Sequence, residues 1–88
     1  MNTTREAFAL TAGAAQHLAG VVAARHRGDF DGANTLLAAL DDTSRAAGGL
    51  LLADLAIALL AQCEGRSVAE VAGEVSLHLA DLTATFDS

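Results

Sequence analysis

The sequence predicts an all-α fold in which four helices form two antiparallel helical hairpins, completed by homodimerisation. The 88 residues include no proline, and 52% of them are apolar. Most of the apolar residues are Ala and Leu, which favour helices, whereas β-branched residues are few. Capping residues and glycines divide the chain into predicted helices over residues 4–27, 30–41, 43–64 and 68–86, which we interpret as one domain, 1–88.

The first two predicted helices meet at a glycine. A capping box, Thr3-x-x-Glu6, begins the first helix. The basic residues 25–27 then lie favourably against the negative end of the helix dipole, and Gly28 supplies the left-handed residue that ends the helix. Asp29 is the predicted cap of the second, shorter helix.

The last two predicted helices meet at Gly65 in the same way. The third helix starts within residues 42–44 and runs to Glu64, and the fourth starts at a second capping box, Ser67-x-x-Glu70. This repeated order of a long helix, a glycine and a shorter helix favours two hairpins. The fourth helix carries one apolar stripe, typical of an ordinary amphipathic helix, made of Val68, Val71, Val75, Leu79, Leu82 and Phe86.

The third helix contains the most informative stretch, residues 50–61 (LLLADLAIALLA), in which eleven apolar residues surround Asp54. Such a helix is apolar on both faces and must be buried on all sides, and a chain of this length offers little material for that. Because the core is expected to consist of small side chains, self-association is the natural way to cover it. We assign one face, with Leu52, Leu55 and Leu59, to intrachain packing.

The opposite face is the predicted homodimer interface, together with a side of small residues on the first helix into which another helix could fit closely. Asp54 lies in the middle of this face, and three roles stay open for it. It reaches a partly wet rim or a partner such as Arg45, Arg25 or a hydroxyl; it fixes the register of a dimer; or it contacts a ligand or metal. The predicted interface residues are Leu50, Leu51, Asp54, Ile57, Ala58, Ala61, Gly13 and Gly20.

Charge and cysteine content limit the expected partners and location. The net charge is −6 and the five basic residues, all Arg, are dispersed, which disfavours nucleic acid and anionic membranes. The single cysteine, Cys63, fits a reducing cytosol. Gly48, Gly49 and Asp54 interrupt the apolar residues 46–63, so we predict a cytoplasmic protein without a membrane span.

The first glycine corner resembles part of a known repeat. Residues 28–33 (GDFDGA), followed by Leu37 and Leu40, resemble the inter-helix segment of a tetratricopeptide repeat, which has the pattern G-x-[YF]-x-x-A. Upstream, His17 and Gly20-Val21 replace the large aromatic and the Leu-Gly pair of that repeat, and no second repeat follows. We interpret the match as a shared way of turning an antiparallel helix pair.

A second resemblance covers the start of the fourth helix. Residues 65–72 (GRSVAEVA) resemble the first half of the helix-turn-helix that ends response regulators, with the pattern G-x-S-x-x-E-[IV]-A, which implies DNA binding. The second half departs from that family, because residues 78–81 (HLAD) replace its Ser-x-x-Thr and no cation follows Arg66. A transcription-related regulator with a degenerate helix-turn-helix in 65–86 is kept as an alternative.

Glu70, Glu74 and His78 recur every four residues along the fourth helix. Glu74 and His78 could ligate a divalent metal with His17 or Asp54, but the same spacing also forms a routine pair on a solvated helix face. The chain has no phosphate-binding glycine loop and no recognisable catalytic constellation. We therefore assign no cofactor, metal or catalytic residue, and keep a small apolar ligand or a metal inside the bundle as a further alternative.

The expected function is that of a non-catalytic protein–protein interaction module, an adaptor or regulatory protein that acts as a homodimer. Its expected partners are a second copy of itself and another protein, rather than nucleic acid or a membrane.

Overall fold

The computed structural model describes residues 3–87, with side chains for residues 4–85. In this part of the chain there are four α-helices and no strand, which confirms the all-α prediction. The side chains of Thr3 and Phe86, which belong to the predicted first capping box and to the predicted stripe, lie outside the described part. The helices are α1 (Thr3–His26), α2 (Phe30–Ala38), α3 (Asp42–Glu64) and α4 (Val68–Asp87).

The helices belong to two units, Met1–Asp54 and Leu55–Ser88, and the division between them falls inside α3. The first unit holds α1, α2 and the first half of α3. The second holds the remainder of α3 and α4.

The end of α2 is the one helix boundary that differs clearly from the prediction, since α2 ends at Ala38 and not at residue 41. Asp41 instead caps α3, because its carboxylate accepts a hydrogen bond of 2.7 Å from the backbone N–H of Ser44. This bond lowers the pKa of the Asp41 carboxyl. A residue that caps the next helix does not also extend the previous one, so the chain leaves α2 early.

Arg45 holds the link between α2 and α3. Its guanidinium donates hydrogen bonds to the carbonyl oxygens of Leu37, at 3.0 Å, and Leu40, at 2.5 Å. It also forms an ion pair with Asp42. Carbonyl groups at the end of a helix lack intrahelical hydrogen-bond donors. Here the Arg45 side chain, from the next helix, donates hydrogen bonds to two such carbonyl groups.

The core of the first unit lies between α1 and α2. Val21, Ala24 and Ala33 are buried there, with Leu18 and Leu36 partly buried beside them. All buried hydrophobic residues in the described part of the chain are Ala or Val, as expected for a core of small side chains. Such residues bury little apolar area each, so they stabilise the fold less than Leu or Phe would.

The helices α1 and α3 come together at Gly48, which is buried. A Cβ placed on Gly48 would lie 2.8 Å from the Cβ of Ala14 and 2.9 Å from the backbone nitrogen of Ala15. This close approach involves Ala14 and Ala15, whereas the predicted small-residue side of α1 contains Gly13 and Gly20. The helical periodicity of Gly13 and Gly20 did not indicate this face.

The first corner, between α1 and α2, closes with a pair of backbone hydrogen bonds. The N–H of Asp29 donates to the carbonyl oxygen of Ala24 at 2.9 Å, and the N–H of Gly28 donates to that of Arg25 at 3.1 Å. Gly28 has a φ of 83°, which confirms it as the left-handed residue that ends α1. Together these features make a Schellman motif.

The second corner, between α3 and α4, is built in the same way. The N–H of Arg66 donates to the carbonyl oxygen of Ala61 at 3.0 Å, and the N–H of Gly65 donates to that of Gln62 at 3.4 Å. Gly65 has a φ of 65°, as predicted for the end of α3. Ala61 and Ala24, which accept the longer-range bond at each corner, are both buried.

The helix after each corner also starts in the same way. The Asp29 carboxylate accepts a hydrogen bond of 2.9 Å from a backbone N–H in the first turn of α2, and the Ser67 hydroxyl accepts one of 3.1 Å from Glu70. The Glu70 carboxylate accepts the Ser67 N–H in return, which confirms the predicted capping box. Four residues after each cap a small apolar residue, Ala33 or Val71, is buried.

Candidate protein interaction surface

Large apolar side chains are exposed on all four helices. A soluble monomer rarely exposes many of them together, and exposed apolar patches mark interaction sites. Because the core uses only Ala and Val among the described residues, the larger side chains remain available for contacts outside the chain. The exposed set comprises Phe8, Leu10, Val22, Phe30, Leu37, Leu50, Leu55, Leu59, Leu60, Val68, Leu77, Leu79 and Leu82.

Part of this surface forms an open groove of about 470 Å³ between α1 and α3, called here the α1–α3 groove. One stripe from each helix lines it, and each stripe follows the i, i+3, i+4, i+7 spacing of a single helix face. Phe8 is not among the predicted interface residues, although its spacing from the neighbouring groove residues was visible in the sequence. The lining residues are Thr4, Ala7, Phe8, Thr11, Ala47, Leu50, Leu51 and Asp54.

The groove lining is mostly apolar, with Thr4, Thr11 and Asp54 as its polar residues. Leu50 is 68% exposed and Phe8 is 63% exposed. Asp54 is the one charged residue in the lining within the described part of the chain, and it is exposed. The Thr11 hydroxyl donates to the carbonyl oxygen of Ala7 at 3.1 Å, so it is already engaged within α1.

Asp54 has no ion pair or side-chain hydrogen bond with any residue that the structure describes. Arg45, one of the two arginines suggested as its partner, pairs with Asp42 instead. The other, Arg25, lines a separate pocket. The exposed position of Asp54 agrees with the suggested role in which its carboxylate contacts water. Asp54 forms no ion pair with Arg25 or Arg45.

The predicted interface residues of α3 fall into both units. Leu50, Leu51 and Asp54 line the groove in the first unit. In the second unit Ile57 is half-buried, Ala58 is exposed and Ala61 is buried. The structure thus groups three of the six around one concavity.

The face of α3 assigned to intrachain packing is more open than expected. Leu52 is half-buried, but Leu55 and Leu59 are each more than half exposed. The assignment of Leu55 and Leu59 to the chain's own core is therefore wrong. When a helix is apolar all round, the periodicity of its sequence does not show which face is buried.

The two predicted interface glycines of α1 differ in their surroundings. Gly20 faces α2 of the same chain, where a Cβ would lie 4.0 Å from the Cδ1 of Leu36. Gly13 is exposed, and a Cβ there would meet nothing within 4 Å in the described part of the chain. Open space at Gly13 leaves it accessible to a partner.

A second, smaller concavity of about 200 Å³ lies at the end of α1, and we call it the α1–α2 pocket. It is lined by Val22, Arg25, His26 and Phe30, and Phe30 is 62% exposed. Arg25 and His26 form no ion pair or side-chain hydrogen bond within the described residues. The pocket therefore combines exposed apolar surface with the Arg25 guanidinium, a cationic group that has no ion-pair partner among the described residues.

In the second unit, Arg66 is held by two carboxylates. It forms ion pairs with Glu64, at 3.2 Å, and with Glu74. The hydrogen bond to Arg66 lowers the pKa of Glu74 and raises that of Arg66. The N–H of Ser67 lowers the pKa of Glu70.

The helix-turn-helix alternative loses its structural basis in this segment. Residues Val68–Asp87 form one continuous helix, so the turn between the two helices of that motif is absent here. Arg66, the last cation of the chain, is engaged by Glu64 and Glu74. Residues 68–87 therefore contain no separate recognition helix, and the arginine that precedes them is paired with carboxylates.

Three of the residues suggested as metal ligands contact other groups within their own units. The Glu74 carboxylate binds Arg66, and the Nδ1 of His78 lies 2.9 Å from the backbone carbonyl oxygen of Glu74. His17 is used between α1 and α2, with its Nε2 2.6 Å from the carbonyl oxygen of Leu36. The described residues contain no group of three or more His, Cys, Asp or Glu side chains suited to a metal ion.

Among residues 3–87, two helices are long and apolar enough to cross a membrane, judged by length and composition. They are Thr4–His26 and Asp42–Glu64, whose most apolar 18-residue windows have mean hydropathies of 1.4 and 1.8 and are 22% and 11% buried. The prediction that Gly48, Gly49 and Asp54 rule out a span is not supported by this criterion. A cytoplasmic location accordingly stays a prediction.

Comparison with protein families, with characterised proteins and with solved structures finds no match to this chain.

Proposed function

We propose that this chain is a non-catalytic helical interaction module, an adaptor or regulator of another protein, that acts as a homodimer. The observation that carries the proposal is the division of its apolar residues. Small side chains fill the core, while Leu and Phe side chains line open concavities. Fully burying one such side chain stabilises a structure by about 1.5–3 kcal/mol, so a partner that covers the groove would gain much of the missing apolar burial.

The proposal includes two helical hairpins in each chain. The support is the likeness of the two corners, which share a Schellman glycine, a capped following helix and a buried small residue on either side. A hairpin of this kind buries one face of each helix and leaves the other apolar faces for a second copy.

The position of α2 and its exposed polar residues favour a protein partner over a lipid one. This short helix packs along the second half of α1, around Val21 and Ala24, and carries exposed Asp31 and Asn34. If α1 spanned a bilayer, these polar groups would enter the hydrocarbon region, where each is costly. The charge of −6 further disfavours an anionic lipid surface and nucleic acid as partners.

Substitution in the groove tests the proposal. Leu50→Glu places a charge in the groove and is expected to weaken the dimer at least about tenfold, because a buried unpaired carboxylate costs several kcal/mol. Leu10→Glu is the matched control, since Leu10 is 78% exposed and lies outside the groove. Sedimentation equilibrium without detergent measures both.

A dimer that tolerates Leu50→Glu as well as Leu10→Glu would contradict the assignment of the groove to the interface. A chain that sediments as a monomer at every concentration would contradict the proposed function itself. So would recovery of the chain only in the membrane fraction.

A further inference from the structure

The geometry points to a reciprocal contact between two copies of this chain, in which the α1–α3 groove of one protomer receives the partner's Phe30 and Asp54 pairs with the partner's Arg25. The inference rests on the proposed homodimer and names the surfaces that form it. Three observations carry it: the placement of the two concavities on α1, their opposite charge, and the exposure of Phe30.

The α1–α3 groove and the α1–α2 pocket lie on the same face of α1. Three residues of α1 line the pocket, and each of them lies 18 residues after an α1 residue that lines the groove. A separation of 18 residues is five full turns at 3.6 residues per turn. The two concavities therefore open on one side of the helix, about 27 Å apart along its axis. Thr4, Ala7 and Phe8 line the groove, and Val22, Arg25 and His26 line the pocket.

The two concavities carry opposite charge. Asp54 is the charged group of the groove, whereas the Arg25 guanidinium, next to His26, is the charged group of the pocket. Within the described residues none of the three has an ion pair. Charges left without intrachain partners on complementary surfaces favour association of one surface with the other and fix its register.

A two-fold axis makes the contact reciprocal. When two copies face each other with their α1 helices antiparallel, the groove of each lies opposite the pocket of the other, because both open on one face. One dimer then contains two equivalent Asp54–Arg25 pairs. The arrangement is closed, so it adds no third copy.

Phe30 supplies the apolar part of the contact. Its ring is 62% exposed at the start of α2, next to Arg25 in the pocket lining. The groove offers Phe8, Leu50 and Leu51 and has a volume of about 470 Å³, which is ample for a phenyl ring. Aromatic and Arg side chains are the residues that most often anchor interfaces, and both are present at this end of α1.

Exchange of the two charges tests the inference. Sedimentation equilibrium gives the dimer dissociation constant of the full chain for the unaltered protein, Asp54→Arg, Arg25→Asp and the double variant. Each single reversal is expected to weaken the dimer about tenfold or more, because it places like charges at both contacts. The double variant, whose net charge equals that of the unaltered chain, is expected to recover to within about threefold.

Two further variants complete the test. Asp81→Arg, at an exposed position on α4, carries the same charge change as Asp54→Arg and is expected to leave the dissociation constant unchanged. Phe30→Ala is expected to weaken the dimer without altering charge. Circular dichroism of each variant checks that its helix content is retained.

The outcomes separate this inference from the proposed function. A dimer whose dissociation constant is unaffected by either single reversal would overturn the reciprocal contact and leave the homodimer intact. Single reversals that weaken the dimer without recovery in the double variant would also overturn it. If the unaltered chain stays monomeric, the proposed function fails, and the inference fails with it.

Discussion

Gly48 of α3 lies directly against the backbone of Ala14 in α1. A Cβ on Gly48 would come within 2.8 Å of the Ala14 Cβ and within 2.9 Å of its carbonyl carbon. Real Cβ atoms do not approach other atoms so closely, and a backbone atom cannot move away by a change of rotamer. The first unit therefore depends on the absence of a side chain at this position.

Gly48→Ala is expected to destabilise the protein although alanine is the better helix former. The added methyl gains about 1 kcal/mol of helix propensity. Overpacking costs about 1–3 kcal/mol, and here it acts on backbone atoms. We expect a net loss of up to about 2 kcal/mol in the free energy of unfolding, measured by urea denaturation.

The adjacent glycine provides the control for this substitution. A Cβ on Gly49 would meet the Cδ1 of Leu18 at 4.0 Å, an ordinary van der Waals distance. Gly49→Ala is therefore expected to raise the free energy of unfolding by up to about 1 kcal/mol. Equal effects of the two substitutions would show that α1 and α3 are not in close contact at Gly48.

Glycines of α4 and of its preceding corner are expected to respond in opposite directions. Gly65 has a φ of 65°, so Gly65→Ala places a Cβ in the left-handed region and should cost about 1–2 kcal/mol. Gly73 lies inside α4 and a Cβ there meets nothing within 4 Å among the described residues, so Gly73→Ala should gain up to about 1 kcal/mol. Thermal melts compare the two, and a stabilising Gly65→Ala would refute the Schellman corner.

The start of α4 should weaken in acid. The carboxyls of Glu70 and Glu74 have pKa values below the ordinary 4.5, because Ser67 and Arg66 respectively donate hydrogen bonds to them. A carboxyl with a depressed pKa in the folded state contributes stability that is fully present above its unfolded pKa. That contribution is lost as the pH falls through the lowered folded value.

The melting temperature of the Glu74→Gln variant, compared with that of the unaltered chain, tests this pH dependence. The variant is expected to melt at a lower temperature than the unaltered chain at pH 7, since it loses the charge that pairs with Arg66. The difference should shrink as the pH falls below about 4.5 and should vanish once Glu74 is protonated in both states. A difference that stays constant down to pH 3 would mean that the ion pair does not contribute.

The sequence predicted the features that depend on near neighbours in the chain. Gly28 and Gly65 end their helices in the left-handed conformation, and Ser67 and Glu70 form the expected capping box. Each of these follows from a few consecutive residues, because capping satisfies backbone groups within one turn. The shortened α2 was missed because Asp41 could end one helix or begin the next.

The features that depend on contacts between helices were predicted less well. Residues 50–61 are apolar on both faces, and periodicity alone did not show that Leu55 and Leu59 stay exposed. The contact between α1 and α3 occurs at Gly48, whereas the small residues Gly13 and Gly20 were assigned to close packing. Which of several similar faces is used depends on how the helices cross, and no short segment encodes that.

The mass of the unaltered chain in solution shows whether the chain forms a homodimer. Multi-angle light scattering on the chromatographic peak, without detergent and over a range of micromolar concentrations, measures it. We expect twice the chain mass of 8.9 kDa. A stable species of 8.9 kDa throughout that range would contradict the homodimer and, with it, the proposed role of the α1–α3 groove.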